Sequence, residues 1–252
     1  MLTRRLALFS MAAFGWIAPH ATAAPILVEL FTSEGCHSCP PADVYLSELA
    51  KRPDATTGEL VLISWHVDYW DHLGWEEPYG LAFASDRQRR YAAAMKRRGT
   101  RGAGVYTPQM VIDGQVAIVG HDRRNGAGAI EWAGKGNTKS LNVKAVSIDG
   151  ELNITARLPE VSRPVRVIAV VVEDGLESKI TAGENRGKTL KHDRVVRAVG
   201  EAQVVNGIGL AKLRVPEDVS AENASVVMFV QAGYGDVLAL GSVALETTSS
   251  DG

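Results

Sequence analysis

Cysteine is nearly absent from this chain: Cys36 and Cys39 are the only two in 252 residues. That scarcity excludes a disulfide framework, because structural cysteines are spread out to staple distant segments. A pair separated by two residues closes a loop too short to stabilise a domain of this size. A second C-x-x-C is also missing, and a closed zinc site would need two further protein ligands. There is no basic excess, with 27 lysines and arginines against 29 acids, which argues against nucleic acid or an anionic membrane surface as partner. Beyond residue 23 no apolar stretch is long and charge-free enough to span a bilayer. No cysteine stands there to carry a lipid anchor, and no repeat recurs at a fixed period.

What is present begins with Arg4 and Arg5, the apolar run Leu6 to Ile17, and Ala21-Thr22-Ala23 before Ala24-Pro25. Charged, apolar and small-residue regions in that order predict a secretory signal peptide over residues 1–23. Thr3-Arg4-Arg5 weakly resembles a twin-arginine signal; an ordinary signal opening on two arginines is the plainer reading. Removal of residues 1–23 takes away two arginines and no acids, leaving a net charge of −4. The expected product is periplasmic or secreted, in an oxidising compartment where disulfides persist. Its remaining length of about 230 residues suits two domains better than one.

Ile26 to Phe31 reads as a buried strand, Thr32 to Gly35 as the turn out of it, and the following residues as a helix with Val44, Leu46, Leu49 and Ala50 on helical spacing. Pro40 and Pro41 fall in its first turn, where missing amide protons matter least. Leu60 to Val67 predicts a second buried strand. Ser85 and Gln88 form a capping box for a helix that turns Tyr91, Ala94 and Met95 inward and Arg87, Arg89, Arg90, Arg97 and Arg98 outward. Gln109 to Asp113, a turn at Asp113-Gly114, and Gln115 to Gly120 predict a hairpin, and Gly126 to Ala133 a last helix. Beyond Gly136 seven strand-like segments follow: 141–148, 151–158, 165–173, 190–199, 207–215, 225–232 and 237–245. Short strands at this spacing suggest a β-sandwich.

Cys36-His37-Ser38-Cys39 lies at the head of the first helix. A thiolate is the species that attacks a disulfide, and a helix head supplies unpaired amide donors and partial positive charge that lower a thiol pKa. His37, if protonated, adds to that effect and Glu34 opposes it. Cys39 is placed to resolve a mixed disulfide by intramolecular attack. The other readings of the pair are an inert disulfide and a copper site of two thiolates with His66 or His72.

Thr107-Pro108 stands immediately before Gln109-Met110-Val111-Ile112-Asp113-Gly114. Proline is tolerated mainly at the first residue of a strand, often cis where the chain turns tightly. A C-x-x-C after the first strand, with Thr-Pro and a strand ending in Asp-Gly far downstream, resembles the thioredoxin superfamily. The resemblance implies that Cys36 is the nucleophile, Cys39 the resolving thiol, and Pro108, preceded by Thr107, a cis-proline that lies against the dithiol and presents main-chain groups to an extended substrate. Phe-Thr-Ser-Glu-Gly-Cys at 31–36, Cys-Pro-Pro-Ala-Asp at 39–43 and His-Val-Asp-Tyr-Trp-Asp at 66–71 are together similar to an exported bacterial thioredoxin-like family catalogued as a domain of unknown function. Gly35 replaces the tryptophan that thioredoxins carry before the first cysteine, and His37-Ser38 replaces their Gly-Pro. The direction of electron flow therefore stays open.

His66 and Asp68 alternate on the second strand and share one face, which opens beside Cys36 if the first two strands pair. They suit a proton relay or substrate contact, with Tyr69 and Trp70 as an apolar platform; a hydrogen-bonded histidine and a loop packed by aromatics is the alternative. His121 and His192 carry less; His192, between Lys191 and Asp193, reads as a surface strand residue unless the two domains pack across the site. The resulting expectation is an α/β thioredoxin-like N-terminal domain at 25–136 followed by an all-β sandwich C-terminal domain at 139–247. The expected activity is thiol-disulfide exchange with exported protein thiols or a redox partner protein, without cofactor or metal. A copper-handling protein and a non-catalytic binding module are the alternatives.

Overall fold

The computed structural model describes residues 24–52, 59–100, 103–148 and 150–245, so the signal segment read at 1–23 lies outside the described residues. The first half runs β1 (Ile26–Thr32), α1 (Pro40–Ala50), β2 (Leu60–His66), α2 (Ala82–Arg97), β3 (Gln109–Ile112), β4 (Val116–Val119) and α3 (Arg123–Ala133). Then follow β5 (Lys139–Ser140), β6 (Val143–Ile148), β7 (Glu151–Arg157), β8 (Arg166–Glu173), β9 (Leu176–Lys179), β10 (Thr189–His192), β11 (Val195–Glu201), β12 (Gln203–Val205), β13 (Ile208–Leu213), β14 (Ala224–Gln231) and β15 (Val237–Ala244).

These strands overturn the expected fold class. The chain is mostly β, with three α-helices among the described residues. Instead of an α/β thioredoxin-like domain followed by a separate all-β sandwich, one nine-stranded mixed sheet runs through both halves in the order β4-β3-β1-β2-β11-β8-β14-β15-β5. The join is at β2 and β11, which run parallel with Val195 opposite Ser64, and Ser64 N–H donates to Arg194 O at 2.8 Å. β2 would otherwise present an unpaired edge, and β11 continues the ladder across it. A four-stranded sheet, β12-β13-β7-β6, and the β9–β10 pair are separate.

Alternation along each strand divides the core by face. Leu27 and Phe31 of β1, Ile63 and Trp65 of β2, and Val170 and Val172 of β8 pack under α2. Ile26, Val28 and Leu30 face α1 and α3. Farther along the sheet, Val167, Ala169 and Val171 meet Leu152, Ile154, Ala211 and Leu213 of the four-stranded sheet.

Two helix readings need correction. On α1, Val44 is 53% exposed and Tyr45 turns inward. α2 begins at Ala82 after an extended Leu81, so Ser85 and Gln88 are interior and buried and make no capping box. Arg87, expected on an outward basic face, is 1% exposed. It donates through Nε to Glu29 Oε1 at 2.6 Å and through Nη2 to Tyr91 Oη at 2.7 Å and Gln231 Oε1 at 3.2 Å. Glu29 is wholly buried in β1, and a buried carboxylate without a cation beside it is strongly destabilising. That need draws Arg87 inward.

Candidate functional site

β1 delivers the chain to the head of α1 through a turn held by its own polar groups. Gly35 N–H donates to Ser33 Oγ at 3.0 Å, and Cys36 N–H to Ser33 O at 3.2 Å. Cys36 and Cys39 are joined in a disulfide with Cα atoms 5.5 Å apart. Cys39 precedes Pro40 and Pro41, and its carbonyl accepts the amides of Ala42 and Asp43. Both cysteines are buried, at 1% and 0% exposure, while His37 and Ser38 between them are exposed.

Trp70 connects this turn to the proline loop. A Cβ on Gly35 would stand 3.1 Å from Trp70 Cβ, so the missing side chain lets the indole close on the turn. Trp70 Nε1–H donates to Thr107 Oγ1 at 2.8 Å, and the Thr107–Pro108 bond is cis. Pro108 and Ala42 of α1 converge on Gly120, where an added Cβ would meet each at 3.0 Å. Tyr69 Oη–H donates to Gln88 Oε1 at 3.0 Å, and Gln88 Nε2–H to Tyr106 O at 2.7 Å. Thr107, Pro108, Tyr69 and Trp70 are thus one connected wall beside α1 and the turn.

His66 and Asp68 take separate partners. Asp68 Oδ1 accepts from Ser85 Oγ at 2.6 Å at the start of α2. His66 is buried against Glu77, Nδ1 to Oε1 at 2.7 Å. Glu77 Oε2 also accepts from Ser33 Oγ at 2.9 Å and from Glu34 N–H at 2.6 Å. Glu34, wholly buried, meets His192 Nε2 at 3.0 Å and accepts from Trp75 Nε1–H at 2.9 Å. His192 is therefore no surface residue: it is 2% exposed, with its ring centroid 4.9 Å from that of His66. His72 and His121 are exposed, and His72 Nδ1 contacts Tyr69 O at 2.9 Å.

Asp43 completes the cluster from α1, with Oδ2 3.9 Å from His192 Nδ1. Burial pushes its carboxyl up to about 7, and Glu77 and Glu34 add to that push while His192 opposes it. Burial alone would also raise Glu77, but His66, the Glu34 amide and the Ser33 hydroxyl outweigh it and hold that carboxyl below its ordinary value. Four buried atoms here have no hydrogen-bond partner among the described residues: Thr32 Oγ1, Asp43 Oδ1, His66 Nε2 and His192 Nδ1. Among the described residues no three of His, Cys, Asp and Glu are grouped to hold a metal ion. The arrangement offers a disulfide and, one helical turn along α1, a carboxyl at Asp43 that takes or releases a proton near neutral pH.

Glu77, Asp43, Trp75 and Asn185 were not singled out from sequence. Asp43 lay within the Cys-Pro-Pro-Ala-Asp motif without a role, and Glu77 and Asn185 sit in stretches without periodicity. No local pattern marks them, because the contacts that tie them to the Cys36 turn are long-range: Glu77 reaches Glu34 across 43 residues, Trp75 reaches it across 41, and Asn185 across 151.

The crystal structure of a protein from Agrobacterium tumefaciens, a structural-genomics target, is similar to this chain with a TM-score of 0.64 and 23% identity. The match covers 91% of this chain and 98% of the other. HBP35 of Porphyromonas gingivalis is similar with a TM-score of 0.59 and 14% identity over 92% of this chain and 79% of that one. At these identities the likeness shows the fold alone. No curated protein matches. A family model matches residues 27–231, well over half of the sequence, and the chain belongs to that family, described as protein of unknown function (DUF1223).

Proposed function

We propose that this chain is an exported thiol-disulfide oxidoreductase acting on protein thiols or disulfides in a periplasm or outside the cell. The observation that carries the reading is the position of its two cysteines, which close a disulfide across the head of α1 beside a buried cluster of ionisable groups. The thioredoxin resemblance enters for this site only: a C-x-x-C at a helix head, with Thr107 and Pro108 alongside. It does not extend to the sheet.

In the oxidising direction a substrate thiolate attacks Cys36 Sγ. The Cys36–Cys39 bond breaks, a substrate–Cys36 bond forms, and Cys39 leaves as a thiolate that takes up a proton. A second substrate thiolate then attacks the substrate sulfur of the mixed disulfide and expels Cys36 as a thiolate, so two electrons pass from substrate to the dithiol. The reducing direction is the reverse. Asp43 lies one helical turn beyond Cys39, and side chains at i and i+4 share a helix face. With its carboxyl near 7, it is matched to accept or supply the Cys39 proton at neutral pH. Cys36 is covered in the oxidised chain, so attack requires that cover to move.

Replacement of Cys36 by serine is expected to abolish disulfide turnover on a reduced or scrambled exported protein. Cys39→Ser is expected to accumulate mixed disulfides, resolved on non-reducing gels. Unchanged turnover in both variants would overturn the reading.

A further inference from the structure

Among the described residues β9 and β10 pair only with each other, yet the segment that joins them reaches back to the redox turn. Asn185 is wholly buried. Its Nδ2 donates to Glu34 O at 2.7 Å and to Cys36 O at 2.9 Å, across 151 and 149 residues. Its Oδ1 accepts from Lys188 Nζ at 2.8 Å. An amide side chain has two N–H donors, and here both serve the main chain of the turn that bears Cys36, while a cation polarises the amide from its other end. The same hairpin places Glu184 Oε2 as acceptor of His37 N–H at 2.9 Å and His192 against Glu34.

We infer that Asn185 is a positioning residue of the redox site, supplied by the C-terminal half of the chain, which grips the Cys36 turn and sets how readily the Cys36–Cys39 pair is reduced. This rests on the reading under Proposed function. A carbonyl oxygen carries partial negative charge, and the carbonyl of Cys36 belongs to the residue whose sulfur becomes a thiolate. Donors on that carbonyl and on its neighbour offset the charge and stabilise the reduced, anionic form. Reduction also opens the short covalent ring, and the two hydrogen bonds keep the freed turn where Cys39 can reach it.

The test is the equilibrium of the couple in glutathione buffers, measured on the full mature chain and on Asn185→Asp and Asn185→Ala. Aspartate keeps the size and the contact to Lys188 but turns an oxygen toward two carbonyls. The expected result is an equilibrium constant displaced toward the disulfide by tenfold or more in Asn185→Asp, about 30 mV more negative in potential. A smaller displacement in the same direction is expected in Asn185→Ala. A shift under twofold in both, with far-UV circular dichroism and melting like the parent, would overturn the inference. If Asn185→Asp does not fold, Lys188→Met at the exposed end of the same contact decides by the same twofold criterion. A parent that is active, with variants unchanged, overturns this inference alone. A parent that no glutathione buffer reduces and that turns over no substrate overturns the inference and the redox reading together.

Discussion

Asp43 stands in the first turn of α1, where a helix end ordinarily favours an anion. Burial, with Glu77 and Glu34 nearby, overrides that preference and lifts its carboxyl to about 7. The consequence for stability has a definite sign. The unfolded chain loses this proton near the ordinary aspartate value, about 4, whereas the folded chain keeps it up to about 7. Between those values the folded state binds more protons, so this group's contribution to stability falls as pH rises through the window and is fully lost above the folded value. Asp43→Asn cannot ionise and should not show that loss. Urea unfolding at pH 4.5 and pH 8 is expected to show the parent losing more stability than Asp43→Asn across the interval, by an amount on the order of 3 kcal/mol. Equal losses in both chains would remove Asp43 as the group that titrates there. Asp113, raised by burial to about 6, contributes equally to both chains and cancels in the comparison.

Elements governed by local chemistry were legible in the sequence, and those governed by distant partners were not. The β3–β4 hairpin follows from Asp113-Gly114, whose positive φ values of 46° and 68° turn the chain within the connection 113–115 so that Gln115 N–H reaches Ile112 O and Val116 pairs with Ile112. The dithiol turn and α1 follow from the apolar run, the two prolines and the C-x-x-C. Ser85-x-x-Gln88 has capping spacing but lies inside α2, where Ser85 serves Asp68 and Gln88 serves Tyr69 and Tyr106. The usual preference of arginine for solvent points Arg87 outward. The contrary signal was Glu29 in the middle of an otherwise apolar strand, a buried charge that needs a cation. The strand expected at 190–199 is two strands, β10 and β11, because Arg194 takes a positive φ of 60° between them. That break lets β11 join the large sheet while His192, at the end of β10, faces Glu34. Its burial depends on contacts 158 residues apart, which no periodicity encodes.

Across the whole molecule, the join of β2 to β11 makes one sheet of strands that the sequence texture separates. The apolar run from Val167 to Val172 in β8 was the readable hint, since a strand buried on both faces loses its alternation. A shared sheet and shared core predict a single cooperative transition. All the tryptophans lie at or before residue 132, so fluorescence reports the first half, whereas far-UV circular dichroism also reports the strands of the second. The two urea curves should coincide, and separated midpoints would mean that the halves unfold independently. The same join brings Asn185 and His192 to the turn that carries Cys36, so the redox reading depends on the assembled chain. Alkylation of Cys36 as a function of pH in defined glutathione buffers tests that reading most directly, because it gives both the thiol pKa and the potential of the couple. The account predicts a pair that these buffers reduce and a Cys36 that reacts as thiolate well below the ordinary thiol value of about 8.5. A Cys36 that titrates near that value, in a pair that stays oxidised throughout the glutathione range, would make the disulfide structural and contradict the account.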